Sequence, residues 1–113
     1  ASPYASFKPT LDQWLADRQS ADAAQLKTHY SPRFERDALD LDHWWPKLLQ
    51  SVATQRKPKP LEVVSVLHWN DGEDTMVVTM SDPNVNDKRQ PVFLRTYWQK
   101  EAGQWKLVFE GPT

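Results

Sequence analysis

The hydrophobic pattern of this chain changes its period once, and that change limits the fold more than any other feature. Leu41, Trp44, Trp45, Leu48, Leu49 and Val52 recur at helical spacing, as do Leu11, Trp14 and Leu15 earlier in the chain. From Leu61 onward the run Leu-Glu-Val-Val-Ser-Val-Leu-His-Trp is rich in β-branched residues and reads as a strand. Helices first and strands afterwards segregate the helices onto one face of an antiparallel sheet, which is an α+β architecture.

The boundaries follow from local chemistry. Pro3 and Pro9, with small residues between them, mark residues 1–9 as an extended lead-in or linker. Thr10 with Gln13 three residues on forms a capping box, so a first helix is expected from Thr10 and a single domain over 10–113. Ser20 caps a short second helix through Ala23, Leu26 and Lys27. Pro32 ends this pair, and Arg33–Arg36 reads as a brief edge strand. The third helix starts near Asp40 or Asp42 with Pro46 in its first turn, and Pro58 and Pro60 stop it. Asn70-Asp71-Gly72 is a hairpin signal between the strand ending at Trp69 and its return, Asp74–Met80. Residues 82–90 form a polar loop, Pro91 opens a strand through Lys100, and Ala102-Gly103 turns into the last strand, Gln104–Glu110. On that last strand alternation places Trp105, Leu107 and Phe109 on one face and Lys106 and Glu110 on the other.

Composition excludes several functions. The 113 residues contain no cysteine, which removes thiol catalysis, cysteine-based zinc sites and disulfides. Fourteen Lys plus Arg against fifteen Asp plus Glu give a net charge of −1, without the basic face that nucleic-acid binding needs. No apolar run reaches the ~18 residues of a membrane span. Metal-ligand spacing, a Gly-rich phosphate loop and a nucleophile elbow are all missing from the sequence, so neither a metal nor a cofactor is expected. The six tryptophans point to an aromatic core, some of them lining a pocket or partner surface.

Two stretches resemble the nuclear transport factor 2-like (SnoaL-like) superfamily. Trp14–Phe34, WLADRQSADAAQLKTHYSPRF, is similar to the opening of these domains, and Arg95–Glu110, RTYWQKEAGQWKLVFE, to their closing hairpin. The resemblance implies three helices packed in the concavity of a strongly bent antiparallel sheet, with a pocket at the wide end of the cone. Within the superfamily, His29–Phe34 and Gln104–Leu107 look like the accessory domain that follows the catalytic domain of bacterial L,D-transpeptidase-type cell-wall enzymes. This implies a bacterial, periplasmic or extracytoplasmic setting. The start at Ala1 without a methionine adds the expectation of an upstream segment. With no cysteine, the chain cannot carry out transpeptidase chemistry itself.

The candidate residues divide between two functions. A non-catalytic accessory or binding domain would use Trp44, Arg95, Tyr97 and Trp98 as a ligand or partner surface. Arg95 and Tyr97 share a strand face at i, i+2, and a cross-strand pair of Arg95 with Glu62 or Glu110 is the structural alternative. Of Trp44 and Trp45, helical geometry buries one and leaves the other at the cone mouth. The expected partners are a small molecule, a peptidoglycan fragment or a protein, including a second copy paired through the sheet. The alternative is a small isomerase or dehydratase with an acid–base residue in the cone, for which His68 and Tyr30 are the candidates. His29 reads as a helix-terminal histidine, and His43 as an exposed residue near the start of the third helix.

Overall fold

The computed structural model describes residues 2–20, 22–36, 38–54, 61–83 and 93–112. Helix α1 spans Pro3–Ser20 and α2 Ala23–Lys27; strand β1 spans Tyr30–Arg36 and β2 Leu39–Asp40; α3 spans Leu41–Thr54. Strands β3 (Glu62–Asp71), β4 (Glu73–Ser81), β5 (Phe93–Glu101) and β6 (Gln104–Pro112) follow. The expected helix–helix–helix–meander order is present. The expected polar loop lies outside the described residues beyond Pro83, as do Pro58, Pro60 and Pro91.

The residues expected as an extended lead-in are helical from Pro3, so Thr10 lies inside α1 and caps nothing. Phe7 explains the difference. It extends the Leu11–Trp14 stripe by one turn, is 1% exposed, and meets Trp98 and Trp105 edge-to-face at 5.4 Å each. Burying such a ring stabilises by about 1.5–3 kcal/mol, comparable with the ~3 kcal/mol cost of an interior proline such as Pro9. Pro3 stands at the first helical position, where its missing N–H is no loss.

Helix α2 is capped by Asp22, whose carboxylate accepts the Gln25 N–H at 3.1 Å. The expected cap, Ser20, instead donates its hydroxyl to the Asp17 carbonyl at 3.1 Å. In α3, Pro46 is the sixth residue, past the first turn.

The six strands form one sheet in the order β2-β1-β6-β5-β4-β3. The antiparallel meander β3–β6 is as expected, but β1 is not an edge strand. It lies between β2 and β6 and runs parallel to β6, with Tyr30 opposite Leu107. The Arg33–Arg36 run is too short to show that its Tyr30 end continues into a partner more than seventy residues away. The β5–β6 hairpin turns at Ala102 and Gly103, both at positive φ (52° and 79°), which matches the right-handed strand twist.

The helices cover one face of the sheet. Along the register, Met76, Trp98 and Leu107 form one inward row, with Val78, Thr96 and Glu110 beside it. On β6 the register shifts at Val108, since Trp98 pairs with Leu107 and Tyr97 with Phe109. This bulge overturns the expected face assignment beyond Leu107. Phe109 turns outward and Glu110 turns into the core, because one inserted residue inverts a period of two.

Candidate functional site

Three regions carry polar or exposed groups that packing alone does not explain. The first is a buried charge cluster. Glu110 is 1% exposed and lies between two guanidiniums, Arg18 and Arg36, each at 3.3 Å. Arg18 also covers the Trp14 ring at 5.3 Å, and Arg36 the Trp44 ring at 5.6 Å. Tyr30 faces this cluster. Burial, reinforced by the negative charge of Glu110, holds its hydroxyl well above the ordinary tyrosine pKa. The Trp14 indole N–H lies close to that hydroxyl, yet neither atom reaches hydrogen-bonding geometry among the described residues.

The second region is a cleft of about 480 Å³ between α1 and the β5–β6 hairpin tip. His29 forms part of its wall, with Gln13 on one side and Lys100, Gln104 and Lys106 on the other. Behind the wall, His29 Nε2 lies 2.6 Å from Asp17 Oδ2, and both residues are buried. A carboxylate only accepts, so Nε2 carries the proton in this pair. The Gln13 amide donates to the other Asp17 oxygen at 2.9 Å. The third region is the outer face of the sheet. Leu67, Val77, Tyr97 and Phe109 lie in register across β3, β4, β5 and β6, and the Tyr97 and Phe109 rings are 5.4 Å apart. Leu67 and Trp69, each 57% exposed, end the patch on the edge strand β3.

The structure separates the residues selected from the sequence. Arg95 and Tyr97 share the outer face, and Glu110 cannot pair with Arg95 because it lies on the other side of the sheet. Trp44 and Trp98 belong to no surface. Trp98 is fully buried and donates its indole N–H to Thr96 Oγ1 at 2.9 Å, while Trp44 packs on Phe34 at 5.0 Å. Trp45 is buried as well, against Tyr30 on one side and under Lys27 on the other, so neither ring of the pair is left at a mouth.

His68 lies on the edge strand β3, in register with the inward-facing Met76 and mostly buried. Its Nε2 is 3.1 Å from Asp74 Oδ1, its backbone N–H donates to the Tyr4 hydroxyl at 3.1 Å, and the Tyr4 ring stands 6.0 Å away. His43 is exposed and bonded to Asp40 at 2.6 Å, whose carboxylate holds the imidazole above its ordinary pKa.

Sequence reasoning missed the Asp17–His29 pair and the burial of Glu110. Asp17 left one signal, an acid three residues after Trp14 at the end of an apolar stripe. Glu110 left none, because only the bulge turns it inward.

The chain matches no protein-family model and no curated protein sequence. Its fold does match solved structures. A Bdellovibrio bacteriovorus protein, Bd1075, aligns at a TM-score of 0.74 and 12% identity over 95% of this chain, and the chain spans 38% of that protein's length. A nuclear transport factor 2-like protein of unknown function from Pseudomonas putida KT2440 aligns at 0.68 and 14% identity over 99% of this chain and 87% of the other. A Shewanella frigidimarina protein described as a candidate ketosteroid isomerase aligns at 0.68 and 12% identity over 96% and 94%. At such identities the likeness speaks for the backbone alone, and what it establishes is that this chain folds as a nuclear transport factor 2-like cone of three helices on a curved six-stranded sheet.

Proposed function

We propose that this chain is a non-catalytic binding domain that pairs with a second copy of itself through the outer face of its sheet. The observation that carries this is the apolar row Leu67, Val77, Tyr97 and Phe109, in register across four strands, in which Leu67 and Phe109 are exposed, Tyr97 is half-buried and Val77 is buried beneath its neighbours, with the exposed Trp69 alongside. Exposed apolar groups in one contiguous patch mark an association surface. A two-fold interface must match itself, and an uncharged row running straight across the sheet does so. A net charge of −1 adds little self-repulsion.

The likeness of His29–Phe34 and Gln104–Leu107 to cell-wall accessory domains supports a place in a larger bacterial envelope protein. That the chain spans 38% of the Bdellovibrio protein is in keeping with it.

The alternative, a small isomerase or dehydratase, has less support. His68 lies on the edge strand with its Nε2 bonded to Asp74, away from the Tyr30 cluster, and burial holds the Tyr30 hydroxyl un-ionised, so Tyr30 is no base near neutral pH. Sedimentation equilibrium tests the association. The wild-type chain is expected to dimerise, and Leu67→Ser combined with Phe109→Ser to stay monomeric with an unchanged circular dichroism spectrum. A wild-type chain that is monomeric throughout the concentration range rejects the proposed surface.

A further inference from the structure

The cleft between α1 and the β5–β6 hairpin plays no part in the sheet-face association, and its chemistry is of a different kind. Its volume of about 480 Å³ is that of a small-molecule site. Lys100, Lys106 and His29 line it, and among the described residues no carboxylate and no arginine does. Lys100 is positioned by the Trp105 ring, with its ammonium 5.2 Å from the ring centroid. Lys106 spends one N–H on the Thr28 carbonyl at 2.6 Å and has two more to offer. Among the described residues no carboxylate forms an ion pair with either lysine, although the Lys106 charge also acts on Glu101, which is held by Ser31 and Arg33.

The remaining wall is polar. With Nε2 committed to the buried Asp17, His29 keeps Nδ1 for another partner. Gln104, on the hairpin, has an amide that both donates and accepts. A purely apolar ligand would desolvate these groups without satisfying them. A bare inorganic anion would use the lysines and leave the amide and imidazole to water.

We infer that this cleft binds a small organic carboxylate bearing hydroxyl groups. The carboxylate sits on Lys100, with Lys106 adding positive charge at the rim of the cleft, and the hydroxyls are read by His29 Nδ1 and the Gln104 amide. Asp17 is a positioning residue, since it fixes which ring nitrogen His29 presents.

The test is an NMR titration of the isotope-labelled chain with gluconate, its neutral counterpart glucose, and inorganic phosphate. It follows the Trp105 indole N–H and the His29 ring signals. Gluconate is expected to shift both saturably, with glucose and phosphate giving much weaker responses. Lys100→Ala, a change at an exposed hairpin position, is expected to weaken gluconate binding about tenfold, the loss of one charge-assisted hydrogen bond, while the free protein's amide signals away from the hairpin stay in place. A response to glucose equal to that of gluconate, an equal response to phosphate, unchanged affinity in Lys100→Ala, or no saturation by gluconate would each overturn the inference. None of these readouts depends on whether the sheet face dimerises.

Discussion

Glu110 shows how one residue's role depends on its neighbours. Its carboxylate is shut away from water and held by Arg18 and Arg36, both of which keep part of their surface exposed. Glu110→Gln leaves two guanidiniums facing each other at the edge of the core. It is expected to destabilise by about 3 kcal/mol, the lower end of the range for breaking a buried pair, because the arginines can reach solvent. Urea denaturation at unchanged m-value measures it.

Tyr30, beside it, gives a pH prediction. Its folded pKa lies above the unfolded value of about 10, so the unfolded chain releases this proton first as pH rises. The corresponding stability is complete below about pH 10 and is lost as pH climbs through the folded value. Tyr30→Phe is expected to remove that part of the alkaline slope. At neutral pH it should change stability by less than about 1 kcal/mol, since the hydroxyl has no hydrogen-bond partner among the described residues. Stability curves of the two proteins at neutral and alkaline pH decide the point. A neutral-pH loss well above 1 kcal/mol would mean that the hydroxyl is bonded in solution.

At the scale of elements, α1 and β6 carry the two departures from local rules. Helix α1 runs through Pro9 because Phe7, Leu11 and Trp14 bury one continuous stripe. Phe7→Ala is expected to cost about 3–5 kcal/mol in chemical denaturation, as for a core aromatic. Near-zero loss would show that the first turns of α1 are not part of the core. Pro9→Ala restores a backbone N–H inside the helix and is expected to raise the melting temperature.

On β6, the Val108 bulge keeps Trp105 and Leu107 inward while it inverts Phe109 and Glu110. Trp105 is 4% exposed and donates its indole N–H to Ser6 at 3.3 Å. Trp105→Ala should therefore cost about 3–5 kcal/mol, and a loss below about 1 kcal/mol would contradict its placement in the core.

At the scale of the whole molecule, helices close one side of the sheet, and among the described residues no element packs on the other. Six strands in the order β2-β1-β6-β5-β4-β3 leave β3 as a long edge with Leu67 and Trp69 exposed, which is where association is expected. If the outer face forms the interface, Leu67→Ser with Phe109→Ser raises the dimer dissociation constant by at least about tenfold, whereas Lys100→Ala on the opposite cleft leaves it unchanged. Sedimentation at several concentrations separates the two effects.

The local pattern determined the order of elements, the α+β class, the meander β3–β6 and its two hairpins, because helical and strand periods and turn residues are written in neighbouring positions. It also placed Trp105 and Leu107 together on one face of the last strand, and Arg95 and Tyr97 together on one face of the strand before it. What it could not carry is pairing at a distance. The parallel contact of Tyr30 with Leu107, the burial of both Trp44 and Trp45, the Asp17–His29 bond and the inversion of Glu110 all arise when segments far apart in sequence meet. Burial energy summed over such meetings outweighs a proline's cost in a helix and a carboxylate's preference for water, and only the packed structure decides where it does so.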